Sequence, residues 1–451
     1  MRDNLSVIIL SAGKGTRMKS TISKPLHKIG NLEMINHVIN TAKQMNTDEI
    51  VVVVSEENKE QIDKNISDTI KTVVQYDRNG TGGATKVGFG EIKNKNNKIL
   101  VMYGDVPLIR LETYQDMINK VNDDVAVAVL GFNTGDVRNK YGRLVLDGKN
   151  KLTKILEFKD ANDEERKNTL CNAGIMVING KYLENFLNKL NNNNASGEYY
   201  LTDVVEMAIG GGLQVDFTIA EEDEVMGVNS RNQLAEAEKI FQNKKRKEFM
   251  EKGVTLINPD SVYFSYDTEI ENDVVVEPNV VFLTGVKVHS NVEIRSFSYL
   301  ENCEIKSGAI IGPFARIRPN TLINENVHIG DFCEIKKSNI GKGTKINHLS
   351  YIGDSTIGEN TNIGAGTITC NYDGYSKFKT NIGSNCFIGS NTIFVAPVNV
   401  GDDVLTGAGS VITKDVRTKS LAITRGEQKN IDNAMDRYRE RKQAIKNNNR
   451  S

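Results

Sequence analysis

The chain has 451 residues, enough for two or more domains with full cores. Lys and Arg total 57 against 58 Asp and Glu, a balance that gives no ground for nucleic acid or a membrane surface as partner, so any anionic ligand must be held by a local site. Five cysteines without a Cys-x-x-Cys pair, a polar beginning and an early apolar run of only residues 7–10 point to a cytoplasmic protein with reduced thiols, without signal peptide or membrane span.

Over residues 1–228, short apolar β-branched runs (6–10, 49–54, 98–103, 124–131) alternate with amphipathic stretches such as 33–43. This predicts a Rossmann-like α/β domain with a mostly parallel sheet, its ligands beyond the carboxyl ends of the strands. Leu10-Ser11-Ala12-Gly13-Lys14-Gly15-Thr16-Arg17-Met18 carries the first strand into a Gly-rich turn. Small residues let backbone N–H groups approach a phosphate, and Arg17 and Lys24 (in Lys24-Pro25-Leu26) add positive charge. The turn is neither a Walker loop nor a dinucleotide-binding turn, and taken alone it reads as an ordinary strand-to-helix connection. Asp105, after the run 99–103 and before Pro107, places a carboxylate at the sheet edge. A hard oxygen ligand there suits Mg²⁺; a turn or helix-cap aspartate is the plainer alternative.

Taken together, this signature resembles that of the sugar-1-phosphate nucleotidyltransferases. Gln75 with Asn79-Gly80-Thr81-Gly82 is similar to that family's uracil-reading segment, and Tyr103-Gly104-Asp105 to its metal-binding strand end. Tyr141-Gly142-Arg143, Ile155-Leu156-Glu157-Phe158-Lys159-Asp160, Asn172-Ala173-Gly174, Glu198-Tyr199-Tyr200-Leu201-Thr202-Asp203 and Gly227-Val228-Asn229 follow in the family's order. The resemblance implies attack by a sugar phosphate oxygen on the α-phosphorus of UTP, with release of pyrophosphate. The nucleophile is already an anion, so positioning and charge neutralisation by Mg²⁺, Arg17, Lys24 and backbone donors carry the reaction. It also implies nucleotide and sugar contacts from Leu10, Ser11, Ala12, Gly13, Lys24, Gln75, Gly80, Thr81, Tyr103, Gly104 and Asp105. Gly142, Glu157 and Asn172 would hold N-acetylglucosamine 1-phosphate, and Asp105 and Asn229 the metal. The chain departs from the family at Ser11, usually alanine, and at Gly83, usually histidine.

Residues 229–252 are rich in helix formers and predict a connecting helix that sets two domains apart, with the basic cluster 244–247 on a solvated face. From 253 to 425 the chain follows a six-residue step. Ile305, Ile311, Ile317, Ile323, Ile329 and Ile335 are in phase, as are Ile382, Ile388, Phe394, Val400, Thr406 and Ile412. Neither helix nor strand alone has that period. It predicts a parallel β-helix of roughly nine coils with small or β-branched second inward residues such as Cys386, Thr392, Val398, Val404 and Ser410.

A regular prism has no pocket, so chemistry is expected where the period breaks, at residues 369–379. His348 lies just upstream in Ile346-Asn347-His348, past the inward Ile346, and a neutral imidazole can take a proton near neutral pH. With hexapeptide repeats added, the whole chain resembles the bifunctional bacterial family that joins glucosamine-1-phosphate N-acetyltransferase to N-acetylglucosamine-1-phosphate uridylyltransferase. That resemblance implies a left-handed coil and His348 as base for acetyl transfer from acetyl-CoA to glucosamine 1-phosphate. Arg318, Lys336, Tyr351 and Asn362 would bind the amino sugar phosphate. Ala365, Asn371, Tyr372, Ser390, Ala408 and Arg425 would line the acetyl-CoA groove. Flat prism faces suggest a homotrimer, and residues 426–451 a helix ending in an Asn-rich tail. Two alternatives stand beside this reading: a single-activity nucleotidyltransferase with a structural or regulatory β-helix, and a non-catalytic scaffold.

Overall fold

The computed structural model describes residues 4–448; residues 1–3 and the end of the Asn-rich tail, 449–451, lie outside them. The chain divides into two compact units. The first comprises Met1–Glu248 with Phe264–Tyr266, and the second Phe249–Tyr263 with Asp267–Ser451.

In the first unit the β-branched runs form the central strands. From one edge the sheet order is Gln214–Ala220, Val125–Asn133, Leu170–Asn179, Lys98–Tyr103, Leu5–Ser11, Glu49–Val54 and Lys71–Val74. Leu170–Asn179 runs antiparallel to both neighbours; the other pairs along this path are parallel. All seven residues of Leu5–Ser11 are buried, as expected of a strand covered on both faces. Arg143–Leu146 and Leu152–Leu156 form an antiparallel flap on this sheet, absent from the predicted strands although it carries two of the motifs. Its two strands have only four and five residues, so a short window shows no clear period.

The predicted connecting helix spans Arg231–Glu251. It is docked on the first unit, not a free spacer: Ala237 and Ile240 pack with Ile29, Met34, Leu108 and Val228. The Gln242 amide donates to Phe264 O (2.7 Å) and accepts from Phe264 N (2.9 Å). Arg246 is buried, which corrects the expectation of a wholly solvated basic face; long basic side chains cover apolar surface with their stems.

In the second unit the hexads become short parallel strands stacked into three sheets of ten, eight and eight strands. Each strand pairs with one a coil later, for example Ile311 with Ile329 and Ile317 with Ile335. The six in-phase isoleucines (Ile305, Ile311, Ile317, Ile323, Ile329 and Ile335) are fully buried, and Cys386, Thr392, Val398, Val404 and Ser410 are buried beside the second run. The helix Ala434–Asn448 is exposed throughout its described side chains.

Candidate active sites

In the first unit, Gly15 has φ 62°, and a Cβ there would stand 2.8 Å from Lys24 Cβ. Only glycine lets the turn close on the segment Lys24–Leu26. Lys24 Nζ donates to Asp105 Oδ2 and, at 3.0 Å, to Asn229 Oδ1. Val228 N donates to Asp105 O at 2.9 Å, which holds the segment bearing Asn229 against the strand end. One carboxylate oxygen and one amide oxygen therefore converge on a single cationic group at the carboxyl edge of the sheet. That donor set fits a hard divalent cation that completes its shell with phosphate and water.

Beside this cluster lies a cavity of about 270 Å³ lined by Leu10, Ser11, Ala12, Gly13, Lys24, Gln75, Gly80, Thr81, Tyr103 and Asp105, so ten of the predicted residues share one wall. Ser11 Oγ is buried here without a hydrogen-bond partner among the described residues. Gly104 makes room for it, since a Cβ at 104 would lie 2.0 Å from Ser11 Oγ. Arg17 is exposed in the turn Thr16–Met18 and does not line the cavity. Glu198, from the Glu198–Asp203 motif, lines it too, as does Arg78, which was not singled out from the sequence although it falls inside the Gln75–Gly80 segment.

Gly142, Glu157 and Asn172 also come together. Asn172 N donates to Gly142 O at 2.8 Å, and a Cβ on Gly142 would be 3.5 Å from Glu157 Oε2. Thr202 Oγ1 donates to Glu157 Oε1 at 3.1 Å. Burial lifts the Glu157 carboxyl above the usual carboxylate range, with Asp160, Asp203 and Glu198 adding to the lift and Thr202 opposing it. Asp203 is pushed up to about 6 by burial and then by Glu206 and Asp160. Arg143, fully buried, donates to the carbonyls of Val137 (2.9 Å), Tyr141 (2.5 Å) and Arg166 (3.2 Å) and to Asn139 Oδ1 (2.9 Å), pinning the loop that leads to Gly142.

In the second unit, Asp331 and His348 are register partners on adjacent coils. His348 Nδ1 lies 2.7 Å from Asp331 Oδ1, and the ring is 61% exposed. With Nδ1–H donating to the carboxylate, Nε2 keeps its lone pair and faces outward as a proton acceptor. Asp331 was missed from the sequence; its spacing of one coil from His348 is the signal that could have found it. Backbone rungs continue the column. Gly366 N donates to His348 O (3.1 Å), Asn391 N to Ala365 O (2.7 Å) and Gly409 N to Ser390 O (2.8 Å). Arg425 donates to Ala408 O at 3.1 Å. His348, Ala365, Ser390, Ala408 and Arg425 thus follow one corner of the prism.

Lys336 lies 3.7 Å from the buried Asp354 carboxylate, which also accepts from Asn371 Nδ2 at 2.5 Å. A Cβ on Gly353 would be 2.5 Å from the Tyr351 hydroxyl and 2.9 Å from Asn371 Nδ2, and Lys336 is the register partner of Gly353 on the adjacent coil. Arg318 pairs with Glu334 at 2.8 Å on the same sheet. Asn362 is not brought into this group: it pairs in register with Lys345 on another sheet. Tyr372 stands exposed in the loop after Asn371, its hydroxyl donating to Gly374 O at 2.5 Å.

Comparison with known proteins bears on both units. Residues 7–167 match the MobA-like NTP transferase domain, residues 267–302 the bacterial transferase hexapeptide family (six repeats), and residues 299–420 the GMPPB C-terminal domain. A Zymomonas mobilis protein named bifunctional protein GlmU is 45% identical over 442 residues, covering 97% of this chain and 98% of its own. Proteins of the same name from Paramagnetospirillum magneticum (44% over 444 residues, 98% of each chain) and Wolbachia pipientis (46% over 424 residues, 93% of this chain and 97% of its own) match as fully. With both units matched in order and nearly end to end, the chain belongs to the family of bifunctional GlmU proteins.

Proposed function

We propose that the second unit acetylates glucosamine 1-phosphate and that the first joins the product to UTP. The observation that carries this is the coexistence of two constellations: Lys24, Asp105 and Asn229 beside a cavity in one unit, and the Asp331–His348 pair heading a column in the other.

For acetyl transfer, His348 Nε2 removes a proton from the substrate ammonium. The freed amine attacks the thioester carbonyl of acetyl-CoA, the C–N bond forms, and the C–S bond breaks. The thiolate leaves and takes the second proton that the attacking nitrogen sheds as it becomes the amide, giving the free thiol. Arg318 and Lys336 hold the sugar phosphate and Tyr351 borders it, while Asn362, on another sheet of the same chain, would serve a site shared with a neighbouring subunit. Ala365, Asn371, Tyr372, Ser390, Ala408 and Arg425 line the acetyl-CoA groove.

For uridylyl transfer, an oxygen of N-acetylglucosamine 1-phosphate attacks the α-phosphorus of UTP, and the bond to the pyrophosphate leaving group breaks. Lys24 and the backbone around Ser11–Gly13 hold phosphate oxygens, while Gly142, Glu157 and Asn172 orient the sugar. Asp105 and Asn229 would hold Mg²⁺, which neutralises developing phosphate charge when bound. Arg17 reaches phosphate only by swinging in from its exposed turn.

We place the protein in the cytoplasm as a homotrimer. Its five cysteines are all free, and no helix among the described residues is long and apolar enough to cross a membrane. Phe297, Phe314 and Phe332 stack along one edge of the prism with centroids 4.9 and 5.0 Å apart, each about half exposed, and Leu349 beside His348 is also exposed. All four have positive φ, an uncommon conformation for bulky residues. Such an apolar ridge next to a catalytic histidine suits a neighbouring subunit. Supplying glucosamine 1-phosphate and acetyl-CoA should release free thiol. Failure to do so would leave only the nucleotidyltransferase reading.

A further inference from the structure

The departure at Gly83 coincides with a contact that the sequence does not announce. Gly83 lies in the first turn of the helix Thr81–Gly90, and a Cβ there would stand 1.8 Å from Asn79 Oδ1 and 2.6 Å from Asn79 Cγ. The Asn79 amide therefore occupies the space that any side chain at 83 would need. Its backbone is held on both sides, so a residue with a side chain at 83 would have to be met by turning the Asn79 amide out of its place. Asn79 N donates to Asp77 O at 2.8 Å, and Asn79 O accepts from Tyr199 N at 2.7 Å. In that place Asn79 Oδ1 accepts from Gln75 Nε2 at 3.1 Å, and Gly80 O accepts from the same nitrogen at 3.4 Å. Gln75 is 5% exposed and lines the cavity.

We propose that Asn79, given room by Gly83, is a positioning residue that fixes the orientation of the Gln75 amide and so selects a pyrimidine bearing an imide N–H. This deepens the uridylyl-transfer reading of the cavity and rests on it. Both hydrogens of the Gln75 amide are engaged by Asn79 and Gly80, which leaves Oε1 as its remaining hydrogen-bonding group, an acceptor. Uracil presents N3–H, a donor that matches it. Cytosine presents a lone pair at N3, and two acceptors face to face leave a buried polar group unpaired. An untethered Gln75 could rotate and offer its NH₂ to cytosine instead.

The test measures pyrophosphate release from N-acetylglucosamine 1-phosphate with UTP or CTP, for wild type, Asn79→Leu, Asn79→Asp and Gly83→Ala. Acetyl transfer by the same preparations controls for intact protein. Asn79→Leu and Gly83→Ala should each lower the UTP-to-CTP ratio of kcat/KM by on the order of tenfold, chiefly through KM for UTP. Asn79→Asp should keep the wild-type ratio, because a carboxylate oxygen accepts the same Gln75 hydrogen. An unchanged ratio in Asn79→Leu, or a loss in Asn79→Asp equal to that in Asn79→Leu, overturns the assignment. Wild-type protein that makes no pyrophosphate from UTP defeats the uridylyl-transfer reading itself, and this inference with it.

Discussion

At the scale of single residues, chemistry depends on how one side chain holds another. Asp331 fixes the His348 ring through Nδ1, so Asp331→Asn should favour the wrong tautomer. Its acetyl-transfer kcat should fall on the order of a hundredfold or more with little change in KM, measured by thiol release. The Asp203 carboxyl offers a test in pH. Its folded pKa is about 6 against an ordinary 3.8, so the folded state holds the proton more tightly. Stability from this group is therefore present below about pH 4 and lost as pH rises through about 6. Asp203→Asn should raise Tm relative to wild type at pH 8 and not at pH 4; an equal effect at both would contradict this origin. The motifs at Leu10–Gly13 and Asp105 were legible only in combination, since small residues and a carboxylate at a strand end are each common in ordinary turns and caps. Asp331 and the fit between Ser11 and Gly104 were not, since they arise from contacts between separate strands or coils.

Among elements, the hexads were the most readable part of the chain. An inward position recurring every six residues has one geometric outlet, a stacked coil, and Ile305 through Ile335 fill it without exposure. Ile335→Ala, deep in that stack, should cost about 2–5 kcal/mol in chemical denaturation. In a structure whose coils touch mainly their neighbours, the damage should stay near that coil, readable as local loss of amide-exchange protection. The flap Arg143–Leu146 and Leu152–Leu156 was illegible for the opposite reason. Its pairing is set by the buried Arg143 guanidinium and the sheet beneath it, and no short window of sequence carries either. The helix Arg231–Glu251 shows the same limit: its composition gave a helix, whereas its docking surface depends on Ile29, Met34 and Leu108 far upstream.

For the whole molecule, the order of the units has chemical sense, because the product of acetylation is the acceptor for uridylyl transfer. A trimer should give a solution mass three times the 50.0 kDa of the chain. Phe314→Asp combined with Phe332→Asp should reduce that mass to one chain and abolish acetyl transfer while sparing uridylyl transfer, if the stacked ridge faces a second subunit. The central claim is that two independent sites share this chain, and the most direct measurement follows both products in one pair of variants. His348→Ala should release no thiol from acetyl-CoA with glucosamine 1-phosphate, yet form pyrophosphate from UTP and N-acetylglucosamine 1-phosphate at the wild-type rate. Asp105→Ala should do the reverse, with pyrophosphate formation down roughly a hundredfold or more. Thiol release that survives in His348→Ala, or one substitution that silences both reactions in folded protein, would contradict the account.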